Sequence, residues 1–285
     1  MTAATEMSGL EARTFAGAGG HVRYFAGGVG EPLLLLHGLG GSAANWVELL
    51  PLLVGRFRVL VPDLPGHAAS APLPRGAGVA DFADVAARIL EAEERAATLV
   101  AGHSFGGLVA LRLAQRRPEL VRGLLLVAPA GIGSGTRLVQ AVVLANATIR
   151  PGRWVAPLRF RYADRAWYRR ALFRPWFVSD ADALSADATH GLLAGVREHV
   201  DLKVAGRAMI ADDPRSELDA VRCPAVLVWG ARDAQLPLDD AFEYARRLRA
   251  KLRIVSDCGH LVPVERPAAC LDALEALRGM VVRSE

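Results

Sequence analysis

Ser104 stands in Ala101-Gly102-His103-Ser104-Phe105-Gly106-Gly107, where an apolar run of strand length passes directly into a helical stretch. A serine at such a corner is lifted out of a sheet, so its hydroxyl can meet both a base and a substrate. The crowding of so tight a turn accounts for a glycine two residues before it and two after. The corner also opens a helix, whose free N–H groups favour a developing anion. A glycine-rich turn with a capping serine is the plainer alternative. The visible strand on one side and helix on the other favour a nucleophile.

A serine alkoxide is out of reach at neutral pH, so a base must take the proton. His260, in Asp257-Cys258-Gly259-His260-Leu261, follows the last strand-like run and can reach the carboxyl edge of a sheet. His103 adjoins the serine, and on a tight turn that neighbour is expected to point elsewhere. His67, His190 and His199 are read as solvated or packing histidines. The base in turn needs a carboxylate to fix its tautomer and stabilise the imidazolium. Asp233, in Trp229-Gly230-Ala231-Arg232-Asp233, follows a strand of the same expected sheet, whereas the preceding strand ends in Ala128-Pro129-Ala130-Gly131 with no acid. Asp239 and Asp240 read as a helix start, and Asp257 is the other candidate. His37-Gly38-Leu39-Gly40-Gly41-Ser42, after the third strand, supplies a loop that can turn a backbone N–H toward substrate. The N–H groups of Leu39 and Phe105 are the expected oxyanion donors, and losing one such donor costs about 2.7–4 kcal/mol. His37 is expected to hold the loop rather than react.

The elements that must position these groups alternate along the chain. Strand-like runs at Leu10–Ala16, His21–Gly27, Leu33–Leu36, Arg58–Val61, Ala97–Ala101, Leu124–Val127, Ala225–Trp229 and Leu252–Val255 are mostly apolar without alternation, as strands buried on both faces are. Helices are predicted at Asp81–Arg95, Phe105–Arg117, Asp239–Ala250 and Pro267–Arg278. The pattern predicts an α/β fold with a doubly wound, mostly parallel sheet. Residues 133–217 break the rhythm: aromatic residues accumulate (Trp154, Phe160, Tyr162, Trp167, Tyr168, Phe173, Trp176, Phe177), and no strand-like run occurs. A helical cap inserted after the sixth strand is expected there, with residues 1–132 and 218–285 forming the core domain. Its tryptophans are expected to divide between pocket wall and cap interior. The stretch Arg150–Arg174 interleaves arginines with aromatics at near-helical spacing, which suits a solvated helix face; a membrane-surface or acidic-substrate role is the alternative.

At 285 residues, 52% hydrophobic and 22% charged, the chain has ample material for a buried core. The net charge of +4 comes from arginines dispersed among acids, so no nucleic-acid partner is expected. Cys223, Cys258 and Cys270 lack metal-like spacing and suit reduced thiols. Met1–Gly9 shows no basic-then-apolar leader, and the longest apolar stretches fall short of a membrane span. A cytoplasmic protein without stable membrane insertion is expected.

Taken in order, His37-Gly38-Leu39-Gly40, Trp46, Asp63-Leu64-Pro65-Gly66-His67 with Ser70, the Ser104 corner, Gly230-Ala231-Arg232-Asp233, and Gly259-His260 with Glu265 and Pro267 resemble the α/β-hydrolase family over nearly the whole chain. The resemblance implies the chain order Ser, Asp, His, no metal, no organic cofactor and a small-molecule acyl substrate, a carboxylic ester or thioester. It makes Trp46 and Leu261 the expected substrate contacts. Ser104 departs from the aspartate nucleophile of the family's epoxide hydrolases and haloalkane dehalogenases. The double glycine after Ser104, Gly41-Ser42 before Trp46, and Cys258-Gly259-His260 also resemble bacterial carbon–carbon bond hydrolases, although those carry asparagine where His103 stands. Cofactor-free haloperoxidases and acyltransferases share the triad. Hydrolase-like hormone receptors share the fold, which alone does not decide function.

Overall fold

A computed structural model describes residues 7, 9–17, 20–93, 97–133, 145, 161–174 and 176–283. Strands β1 (Glu11–Gly17), β2 (Gly20–Gly27), β3 (Glu31–Leu36), β4 (Phe57–Pro62), β5 (Thr98–His103), β6 (Val121–Val127), β7 (Ala225–Gly230) and β8 (Lys251–Val255) form a sheet in the order β1-β2-β4-β3-β5-β6-β7-β8. The β1–β2 and β2–β4 pairs are antiparallel, and every later pair is parallel. The helices are α1 (Leu50–Leu53), α2 (Val79–Ala92), α3 (Phe105–Arg116), α4 (Ala166–Phe173), α5 (Ala186–Glu198), α6 (Lys203–Ala211), α7 (Leu238–Leu248), α8 (Val262–Glu265) and α9 (Pro267–Val282).

The four leucines of β3 show why its run does not alternate. Leu34 and Leu36 join a core with Phe82 of α2 and Phe105 and Leu108 of α3, while Leu33 and Leu35 join a second core with Leu53 of α1 and Leu277 of α9. Side chains on opposite faces of one strand thus meet helices on both sides, and each position must be apolar. All four are fully buried.

The predicted helices shift at their ends for local reasons. Helix α2 starts two residues early because the Gly78 N–H donates to Asp81 Oδ2 at 2.7 Å. Helix α7 stops at Leu248 because Arg249 turns left-handed, at φ 50°, and the Ala250 N–H closes back on the Ala245 carbonyl. Helix α9 continues past Arg278 to Val282, keeping Val281 in the core.

Among the described residues the β6–β7 connection holds helices and no strand. Its Phe173, Val178, Ala181, Leu184 and Ala188 cluster with Leu261 and Val264, beside His260. Met209 and Ala205 of α6 join the α2–α3 core. Trp154 lies outside the described residues. No described helix is long and apolar enough to cross a membrane.

Two glycines test this packing. A Cβ at Gly106 would lie 2.1 Å from the Leu36 carbonyl oxygen, whereas one at Gly279 of α9 would meet nothing nearer than 3.8 Å. Gly106→Ala should therefore lower the melting temperature markedly or prevent folding. Gly279→Ala should stabilise by about 0.5–1 kcal/mol, as alanine does in an open helix site. Urea titration of both checks the pair.

Candidate active site

Strand β5 ends at His103 and α3 begins at Phe105, so Ser104 alone makes the corner. Its φ of 53° and ψ of −117° are a conformation that L-residues rarely adopt. Four backbone bonds hold it there. The Ser104 N–H donates to the Val127 carbonyl at 3.0 Å, and the Ser104 carbonyl accepts from Gly107, Leu108 and Ala130 at 2.9, 3.2 and 3.0 Å. The corner is tight enough that a Cβ at Gly102 would come within 2.3 Å of the Gly106 carbonyl oxygen. The Phe105 N–H, first in α3, has no carbonyl partner within its helix.

The loop after β3 passes directly over this corner. A Cβ built at Gly38 would be 3.1 Å from the Ser104 Cβ, which places the Gly38–Leu39 backbone against the serine. His37 holds that loop, donating from Nδ1 to the Gly38 carbonyl at 2.8 Å and accepting the Leu64 N–H on Nε2 at 2.9 Å. His199, following α5, donates from Nε2 to the Gly40 carbonyl and accepts the Ala68 N–H on Nδ1, both at 2.9 Å. Buried Asp63 accepts the Ala43 N–H at 2.8 Å and Arg23 Nε at 2.6 Å. Each carbonyl partner can only accept, so it fixes which ring nitrogen carries the proton.

Beyond β7 and β8 the second half of the constellation forms. His260 Nδ1–H donates to Asp233 Oδ2 at 2.7 Å. The other oxygen, Oδ1, accepts the N–H groups of Gln235 and Leu236 at 2.8 and 2.9 Å. Burial alone would raise the Asp233 pKa, but the charge and hydrogen bond of His260, with those two N–H groups, hold it below the usual carboxylate range. Asp257, the other acid candidate, instead pairs with Arg232 at the surface. Asp240 accepts the Gly133 N–H at 2.7 Å.

Ser104, His260, Leu39 and Leu261 share the wall of a cavity of about 250 Å³, completed from the β6–β7 connection by Leu172, Phe173, Phe177, Leu192, Leu193 and Met209. A concave, mainly apolar site with a few convergent polar groups is the usual form of a small-molecule site. Phe105 contributes no side chain to it, since its ring is in the core. Trp46 is not brought there either. It is fully buried among Leu33, Leu35 and Leu49, because the Ser42–Asn45 capping box turns the following residue into the core instead of the cavity. Trp167 and Trp176 are likewise absent from the wall and mostly exposed, leaving leucines and phenylalanines to shape it.

Sequence reasoning misdirected His103 and gave Glu265 no role of its own. His103 does not point away: it lines the cavity and donates from Nε2 to the His260 carbonyl at 3.0 Å, tying the corner to the histidine loop. Glu265 is buried and accepts the Gly259 and Asp180 N–H groups at 2.8 Å and that of Ser179 at 3.1 Å. Neither role has a local signature, since each partner is distant in sequence or on the other side of a turn. Among the described residues no cluster of metal-ligating side chains is present.

Three buried histidines are held neutral. Burial lowers His37 to about 4 against a small opposing effect of its bond to Gly38, and burial and then the nearness of His260 lower His103 to about 3. Burial, followed by His37 and His199, lowers His67 well below 6.5. A depressed folded value means that the stabilisation is complete above the unfolded value near 6.5 and is lost as pH falls toward about 4 and below. Over that window each histidine should add a slope of about 1.4 kcal/mol per pH unit. Urea unfolding between pH 7 and 4 should show it, with a shallower slope in His67→Asn. A flat profile would contradict the neutral assignment.

The profile described as Alpha/beta hydrolase family matches residues 33–273. The chain is 34% identical over 251 residues to a pimeloyl-[acyl-carrier protein] methyl ester esterase of Aromatoleum aromaticum, covering 85% of this chain and 96% of the relative. It is 31% identical over 239 residues to a dihydrolipoyllysine-residue acetyltransferase component of an acetoin cleaving system from Pseudomonas putida, covering 83% of this chain but spanning only 60% of that relative. In fold it is similar to the enol-lactonase of Burkholderia xenovorans LB400, with a TM-score of 0.77, 20% identity, and coverage of 94% and 100% of the two chains. With the Ser104 corner and the sheet order already fixed, a match running from β3 into α9 makes this chain a member of the alpha/beta hydrolase family.

Proposed function

We propose that the protein hydrolyses a carboxylic ester or thioester through an acyl-enzyme on Ser104, with His260 as base and Asp233 as its orienting acid. The observation that carries this is the His260–Asp233 bond of 2.7 Å on the rim of a cavity that also exposes the strained Ser104. Because Nδ1–H is committed to Asp233, the other nitrogen, Nε2, keeps its lone pair for the serine proton. Ser104 Oγ adds to the substrate carbonyl as its proton passes to His260 Nε2. The N–H groups of Leu39 and Phe105 receive the negative oxygen. The imidazolium then protonates the departing alkoxide or thiolate. A water, giving a proton to His260, attacks the acyl carbon, and His260 returns that proton to Ser104 Oγ as the Ser104–acyl bond breaks and the acid leaves. The relatives are in keeping with this, one being named a methyl ester esterase.

Residues 133–217 are the cap in this proposal, and the apolar wall it supplies selects the acyl group. Leu172, Phe173, Phe177, Leu192 and Leu193 support that assignment, as all five face the cavity that holds Ser104.

A fluorophosphonate probe should label the protein once, at Ser104, and Ser104→Ala should abolish both labelling and turnover. Label at another residue, or undiminished turnover, would sink the nucleophile. Asp233→Asn should keep the fold and reduce kcat on the order of 10³–10⁴-fold, since the histidine loses its tautomer, whereas Asp257→Asn should be mild. Turnover sustained over many cycles distinguishes an enzyme from a receptor, which would show a burst and then near-silence. A panel of chromogenic esters beside a vinylogous diketone separates ester from carbon–carbon cleavage, which would use the same serine.

Acyl-length ranking tests the wall. Leu172→Ala and Leu193→Ala should each shift the relative kcat/KM for short and long acyl chains by about 1–3 kcal/mol, the modest discrimination an apolar pocket gives. Trp167→Ala should leave the ranking unchanged. If both leucine variants keep the parent's ranking, the cap does not select the substrate.

A further inference from the structure

The chemistry leaves one group of side chains unused. Trp167 and Trp176 are 60% and 62% exposed and Phe177 43%, three of the largest apolar side chains on the surface, within eleven residues of one another. Single exposed apolar residues are ordinary, but three such large ones so close in sequence are not. The stretch that contains Trp167 and leads up to Trp176 is strongly basic, with Asp180, Asp182 and Asp187 following Phe177. Residues 161–174 carry Arg161, Arg165, Arg169, Arg170 and Arg174 against the single acid Asp164. Arg170 is paired with Asp182, and Arg169 donates to the Asp164 carbonyl. Arg165 and Arg174 are exposed and, among the described residues, make no ion pair. Trp167 and Arg170, three residues apart, lie on one side of α4, and Arg174 follows its last residue, buried Phe173.

This surface adjoins the cavity. Phe177 is both exposed and part of the cavity wall, and its carbonyl accepts the Leu261 N–H at 2.9 Å, next to His260. The Trp176 carbonyl accepts Gln235 Nε2 at 3.0 Å, and Gln235 is in the same wall.

We propose that the Trp167–Trp176 surface docks on an anionic lipid layer and so sets the cavity against the lipid from which its substrate comes. Charge complementarity identifies the occupant: a basic stretch with unpaired arginines attracts anionic headgroups. The aromatics decide between a lipid and a merely acidic solute. Tryptophan rings are amphipathic and settle at headgroup depth, where apolar body and N–H are both accommodated. Arginine stems add apolar cover while their guanidinium groups remain with phosphate. Nothing in this contact requires a spanning segment; it is a face lying on the surface.

Sedimentation with sucrose-loaded vesicles tests it on the intact protein. Binding is expected to vesicles containing phosphatidylglycerol and not to pure phosphatidylcholine, and it should weaken with salt. Trp167→Ala with Trp176→Ala should reduce the affinity about tenfold or more by removing the inserted apolar surface. Arg165→Gln with Arg174→Gln should reduce it about fivefold per charge and erase the preference for anionic lipid. Both double variants should keep the parent's melting temperature and its turnover of a short, water-soluble ester. No binding to anionic vesicles, or binding untouched by both variants, overturns the proposal. So does a protein that ignores vesicles but is retained through the same arginines by an acidic carrier protein. Because the soluble-ester rate is read separately, its loss in the parent would count against the hydrolase assignment and not against docking.

Discussion

Ser104 is held where an L-residue does not rest by choice, and much of the fold exists to keep it there. Such a conformation costs on the order of 1–3 kcal/mol and survives only when its surroundings over-determine it. Here the N–H is fixed to β6 and the carbonyl receives three further N–H groups, so relaxing the serine would break four backbone bonds at once. The glycines on either side are the steric condition for this. At Gly102 and Gly106 any side chain would collide with backbone oxygen, at 2.3 and 2.1 Å, and Gly107 is pressed against Pro129. The strain thus has its counterweight in the parallel pairing of β5 with β3 and β6.

Asp233 and His260 follow other strands, and their meeting beside Ser104 depends on contacts between loops. Gly230, at the end of β7, meets the Gly259 carbonyl so closely that a Cβ would lie 2.1 Å from it. That approach brings the Asp233 turn and the His260 loop within reach of one hydrogen bond. His103 then joins the His260 loop to the corner, and Glu265 joins it to residues 179–180. Three loops, each free to wander alone, are braced by polar groups buried from water. Such groups are costly to leave unpaired, which makes the brace directional as well as strong.

What the sequence disclosed follows from how each feature is encoded. A strand buried on both faces writes itself as a continuous apolar run, and β3 to β7 were legible for that reason. The corner was legible because its steric demand falls on neighbouring glycines. That Asp233 and His260 would come together could be expected from their places after neighbouring strands of one sheet. Trp46 could not be placed, because a large aromatic beside a glycine loop fits a pocket and a core equally well; only the capping of Ala43–Trp46 turned it inward. His103 was misjudged for a related reason. Its direction depends on a carbonyl 157 residues away, and no local pattern records a partner at that distance.

The same separation between local and distant encoding governs the β6–β7 connection. Its tryptophans were expected to divide between pocket wall and interior, yet Trp167 and Trp176 belong to neither, and Leu172, Phe173 and Leu192 of the wall also pack against Leu261 and Val264. A side chain serving both packing and pocket must be apolar and shaped to fit, and leucine satisfies this without a buried N–H to pair. The connection is also fastened to both halves of the site, through His199 to the Gly40 carbonyl and through Ser179 and Asp180 to Glu265. Ser179, Asp180 and His199 thus share hydrogen bonds with the loops that carry His260 and Leu39.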